Sequence, residues 1–586
     1  VKLVTPFGSI AVTARGALQL FDSSGQLVTQ SVSSLMDSTH VELTTDSHSA
    51  LYGRGSSPDD AQRLELEDGK TVQPLVCNKA TYVPHYYSTD GYAALGVVEY
   101  TLAQQLPVTY TRKASSSVGT PQVGWVAGGP MDLYLLPAAS LREGTEAYYA
   151  LLGAARVAPR YTFGFMASRW GWTNRGYIEE TVHKFRSDRF PIDAIICDFE
   201  WFTAESDYSF SPEGKPNYRD FGYNPATFDT PRDQLKRFAD MGIRMGGIRK
   251  PRLGNTDLLH MARQKGWMLD SGEPGGAWPA DFGRMYAKQR CLNFSRADVR
   301  AWYTSNLKSL VSDGVSFWWN DEGETDYFTF HYWNAAQAEA LRATQADQRF
   351  YSLNRAWTPG MARLGATVWT GDVNPTWDEL AKTPGMMLNW VLAGAPYVGC
   401  DAGGFTGQTN ANLLTRWLQV SVFMPTMRVH STLTATPHWP WLWGENAARA
   451  MKIALELRYR LVPYHYSLAH ALYRSHKQWI RPLIMDWPGE REASDNTASW
   501  MDGDILVAPV LRQDSSVVVY LPPGSWYPLA ASSATCSNRK PLEGGTHQFS
   551  GVPLDKIPAY VRAGTVMPLA PVLQSTAELP GGPLEV

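Results

Sequence analysis

The chain has 586 residues, 44% of them apolar and 19% charged, with a formal net charge of −3. That length exceeds one compact core, so two to four domains are expected, and the apolar share excludes a disordered chain. The slight negative balance argues against a nucleic-acid partner, and no apolar run approaches the roughly 18 residues a membrane span needs.

Residues 1–155 are rich in Thr, Ser, Val and Tyr, with short alternating runs such as Ser9-Ile-Ala-Val-Thr13 and Thr109-Tyr-Thr111 between Gly and Asp turns. They predict an N-terminal β-sandwich. Asn78-Lys-Ala-Thr-Tyr-Val-Pro84 reads equally as a surface loop or as one reaching toward a neighbouring domain. A helical stretch from Leu141 to Ala155 leads out of the sandwich.

From 156 to 478 strands alternate with helices. The strands are read at Thr162–Ala167, Ala194–Phe199, Met245–Ile248, Val315–Trp319, Phe350–Leu353, Ala366–Trp369, Tyr397–Gly399 and Thr426–Val429. Helices such as Glu179–Arg186, Pro231–Met241 and Arg296–Ser312 lie between them, the last with Val299, Trp302, Tyr303 and Leu307 on one face. Eight alternations predict an α/β class (β/α)8 TIM barrel with a small insertion near 270–290. A doubly wound open sheet is the alternative, but no Gly-rich phosphate loop follows the first strand. Residues 479–586 return to strands and turns, a C-terminal β domain resembling a sandwich.

Five cysteines are scattered without CxxC spacing and the histidines do not cluster, so neither a metal site, nor a disulfide framework, nor any cofactor is expected. The chain starts at Val1; it is expected to be soluble, and secreted, periplasmic and cytoplasmic compartments are not distinguishable. The 22 Trp, 28 Tyr and 21 Phe suit sugar rings, whose C–H faces stack on aromatics, as well as plain core.

Chemistry gathers at the strand tips, where barrels place their sites. Val315-Ser-Phe-Trp-Trp-Asn-Asp-Glu-Gly-Glu324 runs from a buried strand into Asp321, Glu322 and Glu324, and Gly365-Ala-Thr-Val-Trp-Thr-Gly-Asp372 repeats the design. The other tips offer Arg169, Trp170 and Trp172; Asp198, Glu200 and Trp201; Arg249, Lys250 and Arg252; Arg355 and Trp357; Asp401; and Arg428 with His430. Two carboxylates on neighbouring tips suit cleavage of a glycosidic bond, one ionised as nucleophile and one protonated as acid.

The chain resembles glycoside hydrolase family 31, the α-glucosidase and α-xylosidase family, over nearly its whole length. Trp319-Asn-Asp-Glu-Gly-Glu324 is similar to the nucleophile motif, and Asn354-Arg-Ala-Trp-Thr-Pro-Gly-Met-Ala-Arg363 with Trp369-Thr-Gly-Asp372 to the acid/base segment. Gly394–Phe405, His430 after Met427-Arg428, and Met501–Val510 with Tyr520–Tyr527 follow in family order. The resemblance implies Asp321 as nucleophile, Asp372 as general acid/base, and Asp198, Glu200, Trp201, Trp319, Glu324, Arg363, Trp369 and His430 as substrate-binding residues. It implies a retaining exo-acting enzyme on an oligosaccharide, disaccharide or glycoside, α-glucosidase first. Transglycosylation, a lyase outcome and a non-catalytic sugar binder are the alternatives.

Two departures stand out. Aligning Asp207-Tyr-Ser-Phe210 places Glu200 where the family usually has the Asp that clamps the sugar's 4-hydroxyl, and Ile248-Arg-Lys-Pro251 lacks the usual aromatic. These leave α-galactosidase-type specificity open. The chain also ends, at Val586, about where a distal β domain of the family is expected to begin.

Overall fold

The computed structural model describes residues 2–32, 39–98, 108–113, 121–202, 214–269, 291–529 and 540–585. The expected insertion at 270–290 and Asp207–Phe210 lie outside the described residues.

At the centre stands a parallel sheet of eight strands, named here β1 (Phe165–Arg169), β2 (Ala194–Cys197), β3 (Arg244–Arg249), β4 (Trp318–Asn320), β5 (Ser352–Asn354), β6 (Ala366–Trp369), β7 (Val398–Gly399) and β8 (Met427–Val429). Each pairs with the next up to β7, and β8 pairs with β1. A single parallel bridge between Ala402 and Val429 links the β7 side to β8 and nearly closes the barrel. All eight predicted strands are present. They read as short apolar runs because a barrel strand is covered on both faces, by the interior and by the helices.

The ends of the strands differ from the sequence reading where pairing, not hydrophobicity, decides. Residues 160–163 form a turn of 3₁₀ helix before β1. Val315 and Phe317 are buried, but ladder pairing of β4 with β3 begins at Trp318 opposite Gly247. Just before this segment the helix Ala297–Asp313 ends in Gly314 at φ 115°, a left-handed stop that glycine adopts without strain.

The N-terminal region folds as several antiparallel sheets, with Tyr86, Tyr110 and Trp125 packed between them. It is joined to the barrel by the helix Leu141–Leu152, capped by Ser140. The C-terminal region holds a six-stranded antiparallel sheet, in which Val517–Pro528 lies between Leu542–Phe549 and Ala559–Arg562. No helix of the described residues is long and apolar enough to cross a membrane.

Candidate active site

The C-terminal ends of β3 to β6 carry a buried cluster of charges. Asp321 directly follows β4, and its backbone N–H donates to the carbonyl of Arg249 at 3.0 Å, fixing it at the rim. Lys250, one residue beyond β3, ion-pairs with Asp321 and lies 3.0 Å from Glu322. Arg252 pairs with the other side of Glu322. Glu322 adopts a left-handed φ of 57°, a conformation uncommon outside glycine, and it lies between two cations.

Arg355, directly after β5, organises the other half. Its Nε and Nη2 hold both oxygens of Glu324 at 2.6 and 2.9 Å. Its Nη1 lies 3.1 Å from Asp321 Oδ1 and 3.5 Å from Asp372 Oδ2. Glu324 therefore orients Arg355, and its carboxylate is already occupied.

The two candidate catalytic carboxyls are driven apart. Burial alone would raise Asp321, but Arg355 and Lys250 outweigh it and hold the carboxyl below its ordinary value. Asp372 goes the other way, raised by burial and by the charge of Asp321 against the pull of Arg355. Its side chain keeps 28% exposure, so its proton can still exchange. The described cluster contains four carboxyls (Asp321, Glu322, Glu324, Asp372) and three cations (Lys250, Arg252, Arg355). One added proton balances it, and Asp372, the farthest of the three carboxyls that Arg355 faces and without another cation beside it among the described residues, is the natural holder.

Behind this cluster a buried amide network sets the strand tips. Asn320 Nδ2 donates to Asn354 Oδ1 at 2.9 Å and to Gln337 Oε1 at 2.8 Å, and Gln337 returns a bond to Asn320 Oδ1 at 2.7 Å. Asn334 Nδ2 also donates to Asn354 Oδ1, at 2.7 Å. Gln337 and Asn334 lie on the helix Thr329–Thr344.

The opposite wall is aromatic. Arg428 of β8 pairs with Asp401 at 2.8 Å and lies over the rings of Trp319 and Trp369, 4.6 and 5.2 Å from their centroids. His430 stacks on Phe405 and meets the edge of Trp319, both at 4.8 Å. Its Nδ1 is 2.8 Å from Ser168 Oγ and its Nε2 faces Asp198 at 3.7 Å. Burial, then the charge of Arg428, keeps His430 well below its usual pKa and so neutral. Next to Asp198, Glu200 is pushed up to about 7 by burial, and its Oε2 has no hydrogen-bond partner among the described residues. Asp198 is raised by burial and by Glu200.

Two expected site residues are elsewhere. Arg363 is exposed on the 3₁₀ turn Met361–Leu364, just before β6 begins, so it lies at the N-terminal end of the barrel and not at the rim. A Cβ at the adjacent Gly365 would come within 2.6 Å of the carbonyl of Phe350, at the start of the β5 segment, which confirms that end. The connection from β5 to β6 runs the barrel's length, and the arginine that reaches the carboxylates is Arg355. Trp201 is buried in the layer outside β3, against the face of Gly247 and edge-on to Tyr223. It supports the wall without lining the site.

Among the described residues no group of three or more His, Cys, Asp or Glu side chains is arranged to hold a metal ion. The sequence places Lys250, Arg355, Asp401 and Arg428 at strand tips, but it does not show which acids they meet.

Residues 155–468 match the model of the glycosyl hydrolases family 31 TIM-barrel domain, and residues 476–567 that of the glycosyl hydrolase family 31 C-terminal domain. The chain belongs to glycoside hydrolase family 31. It is 28% identical over 513 residues to neutral alpha-glucosidase C of Homo sapiens, an alignment covering 80% of this chain and 53% of that protein. It is 30% identical over 453 residues to a 1,6-alpha-glucosyltransferase of Sporosarcina globispora, covering 71% and 34%. The chain thus spans about half or less of the length of these two relatives. Among solved structures, a family 31 alpha-xylosidase from a soil metagenome, complexed with xylose, superposes with TM-score 0.81 at 22% identity, over 96% of this chain and 90% of that one. That likeness concerns the family 31 fold.

Proposed function

We propose that the chain is a retaining, exo-acting α-glycosidase, with an α-glucoside as first-choice substrate. The ionised Asp321 carboxylate attacks the anomeric carbon while Asp372 gives its proton to the departing glycosidic oxygen, leaving a glycosyl ester on Asp321. Asp372, now ionised, takes a proton from an incoming water, which displaces the aspartate and releases the sugar with its configuration retained. Trp319, Trp369 and His430 wall the sugar, and Asp198 with Glu200 accepts or donates to its hydroxyls.

Arg355 carries this reading, because a single Nη1 atom lies 3.1 Å from Asp321 and 3.5 Å from Asp372. Laid end to end, those distances set a ceiling on the oxygen–oxygen gap. The ceiling admits the roughly 5–5.5 Å of a retaining pair and leaves out nearly all of the roughly 6.5–9.5 Å an inverting pair needs. A protein that merely bound sugar would have no use for one lowered and one raised carboxyl facing the same guanidinium.

Glu200 favours a second reading within the same chemistry. Its longer side chain would rebuild recognition of the 4-hydroxyl and move preference toward α-galactosides. Transfer to a second sugar in place of water uses the same intermediate.

Initial rates on p-nitrophenyl α-glycosides of glucose, galactose, xylose and N-acetylgalactosamine, with Asp321→Asn as the blank, decide the glycone. Proton NMR of the first product decides the stereochemistry. The α-anomer appearing first and loss of turnover in Asp321→Asn are expected. A β-anomer first, or wild-type rates in Asp321→Asn, would overturn the assignment. Insensitivity to EDTA separates it from a metal-dependent barrel hydrolase.

A further inference from the structure

We propose that Asn78, from the N-terminal region, is a positioning residue for Asp372: its amide holds that residue at two points, the carboxyl Oδ2 and the backbone N–H, and leaves Oδ1 to carry the proton toward the leaving group. The proposal rests on the reading of Asp372 as general acid.

The contact is built from both sides. Asn78 Nδ2 donates to Asp372 Oδ2 at 2.9 Å, and the backbone N–H of Asp372 donates to Asn78 Oδ1 at 3.1 Å. Arg355 Nη1 approaches the same Oδ2, at 3.5 Å. Both donors thus converge on Oδ2, and a carboxyl oxygen that accepts two donors is the poorer site for a proton. The proton belongs on Oδ1, to which no described residue donates.

Neither chain segment reaches this geometry by default. Asn78 and Lys79 form the turn between the antiparallel strands Leu75–Cys77 and Ala80–Tyr82. Lys79 takes a left-handed φ of 67°, and its Nζ is 3.6 Å from Glu379. On the barrel side Gly371 has φ +84°, and a Cβ there would lie 2.4 Å from Asn78 Oδ1 and 2.7 Å from the Lys79 nitrogen. The approach therefore requires glycine immediately before the acid. Trp390 Nε1 donates to the Ser56 carbonyl at 3.2 Å, and Asn389 Nδ2 to that of Arg63 at 3.0 Å, so the turn is held against the barrel by more than Asn78.

The clamp also tunes the proton. The charged groups acting on Asp372 are Arg355 and Lys250, which favour its ionised form, and Asp321, which opposes it; Asp401 is a further carboxyl close enough to interact. The Asn78 bond adds to the first pair. Removing it shifts loss of the Asp372 proton to higher pH.

The test compares wild type, Asn78→Ala and Asn78→Asp. Substrates should range from dinitrophenyl glycosides, which leave without a proton, to alkyl or disaccharide aglycones, which need one. Asn78→Ala is expected to lose about 10- to 100-fold in kcat/KM on the poor leaving groups and under about threefold on the dinitrophenyl ones, with the alkaline limb displaced upward. The isosteric Asn78→Asp keeps the turn but exchanges the donor for a carboxylate, so the limb should move further. Equal losses across leaving groups with an unmoved alkaline limb, or a lowered melting temperature alone, would reduce Asn78 to a domain latch and overturn the proposal. Infrared titration of the Asp372 carboxyl, assigned by difference against Asp372→Asn, reads the clamp without turnover. If wild type cleaves none of the glycosides, the proposed function fails. The clamp stands only if Asn78→Ala still raises the Asp372 titration, and it falls if the titration is unchanged.

Discussion

Asn320 and Asn354 are joined side chain to side chain across β4 and β5 at 2.9 Å, and each is followed directly by a charged residue of the site, Asp321 and Arg355. The bond links the backbone position of the nucleophile candidate to that of its guanidinium partner. Asn354→Leu keeps the branched shape but removes the buried acceptor that Asn320 and Asn334 share. A stability loss of about 2–3 kcal/mol is expected from those lost bonds. Because the two tips then lose their common reference, kcat should fall at least about tenfold with KM nearly constant. Chemical denaturation and steady-state kinetics on the same preparation check both. A folded variant with wild-type kcat would show that the network does not position the site.

The two arginines of the β5–β6 connection make a paired prediction. Arg355→Lys keeps a charge but cannot hold Glu324 with two parallel bonds while facing Asp321 and Asp372. Losing such preorganised charge costs on the order of 3–4 kcal/mol of transition-state stabilisation, about 10²- to 10³-fold in kcat/KM. Arg363→Ala, exposed at the far end of the barrel, should stay within about twofold of wild type. The reverse ranking would return Arg363 to the site.

The pH profile follows from opposite displacements of two carboxyls. The proposed mechanism needs Asp321 ionised and Asp372 protonated, so kcat/KM is expected to be bell-shaped, with an acid limb below the ordinary aspartate range and an alkaline limb above it. Lys250 favours the ionised form of Asp321, so Lys250→Met should move the acid limb to higher pH while the alkaline limb, governed mainly by burial and Arg355, moves less. Glu200, pushed up to about 7 by burial, is expected to change charge across neutral pH in the proposed binding wall. That titration should appear in KM and vanish in Glu200→Gln. An acid limb unchanged in Lys250→Met would sink this account.

How far the sequence carries the fold and site depends on the range of the interactions. Strand positions are local properties: a run such as Ala194-Ile-Ile-Cys197 is buried at every residue and could be read directly. The pairing of charges is not local. Lys250 meets Asp321 across 71 residues, Arg355 meets Glu324 across 31, and Asn78 meets Asp372 across 294. Residue type places each at a tip without telling which partner it faces. Arg363 misleads because motif proximity suggests the rim, whereas the chain has by then descended to the other end of the barrel. Trp201 misleads because the alternation of a strand is lost in the 3₁₀ turn Phe199–Trp201, so inward and outward could not be told apart.

Asp193, just before β2, yields a prediction about stability that is independent of the chemistry. It is fully buried and accepts from Ser575 Oγ at 3.1 Å, from Thr576 Oγ1 at 2.6 Å and from the Thr576 N–H at 3.0 Å, with Tyr459 as a further partner. It thereby fastens the 575–576 segment to the N-terminal end of the barrel. Burial raises its pKa from 3.8 to about 6 in the folded chain. The unfolded carboxyl has the lower pKa, so the folded state binds the extra proton, and the stability contributed by this group is complete below pH ~4 and lost as pH rises through about 6. At roughly 1.4 kcal/mol per pKa unit, the loss between pH 4 and 8 is about 3 kcal/mol at most. Asp193→Asn carries no such proton, so its stability should be flatter over this range, and its advantage over wild type should grow from pH 5 to pH 8. Urea midpoints at intervals of one pH unit measure that difference. A gap that stays constant or narrows with rising pH would show that Asp193 is ionised in the folded chain and that its donors, not burial, set its charge.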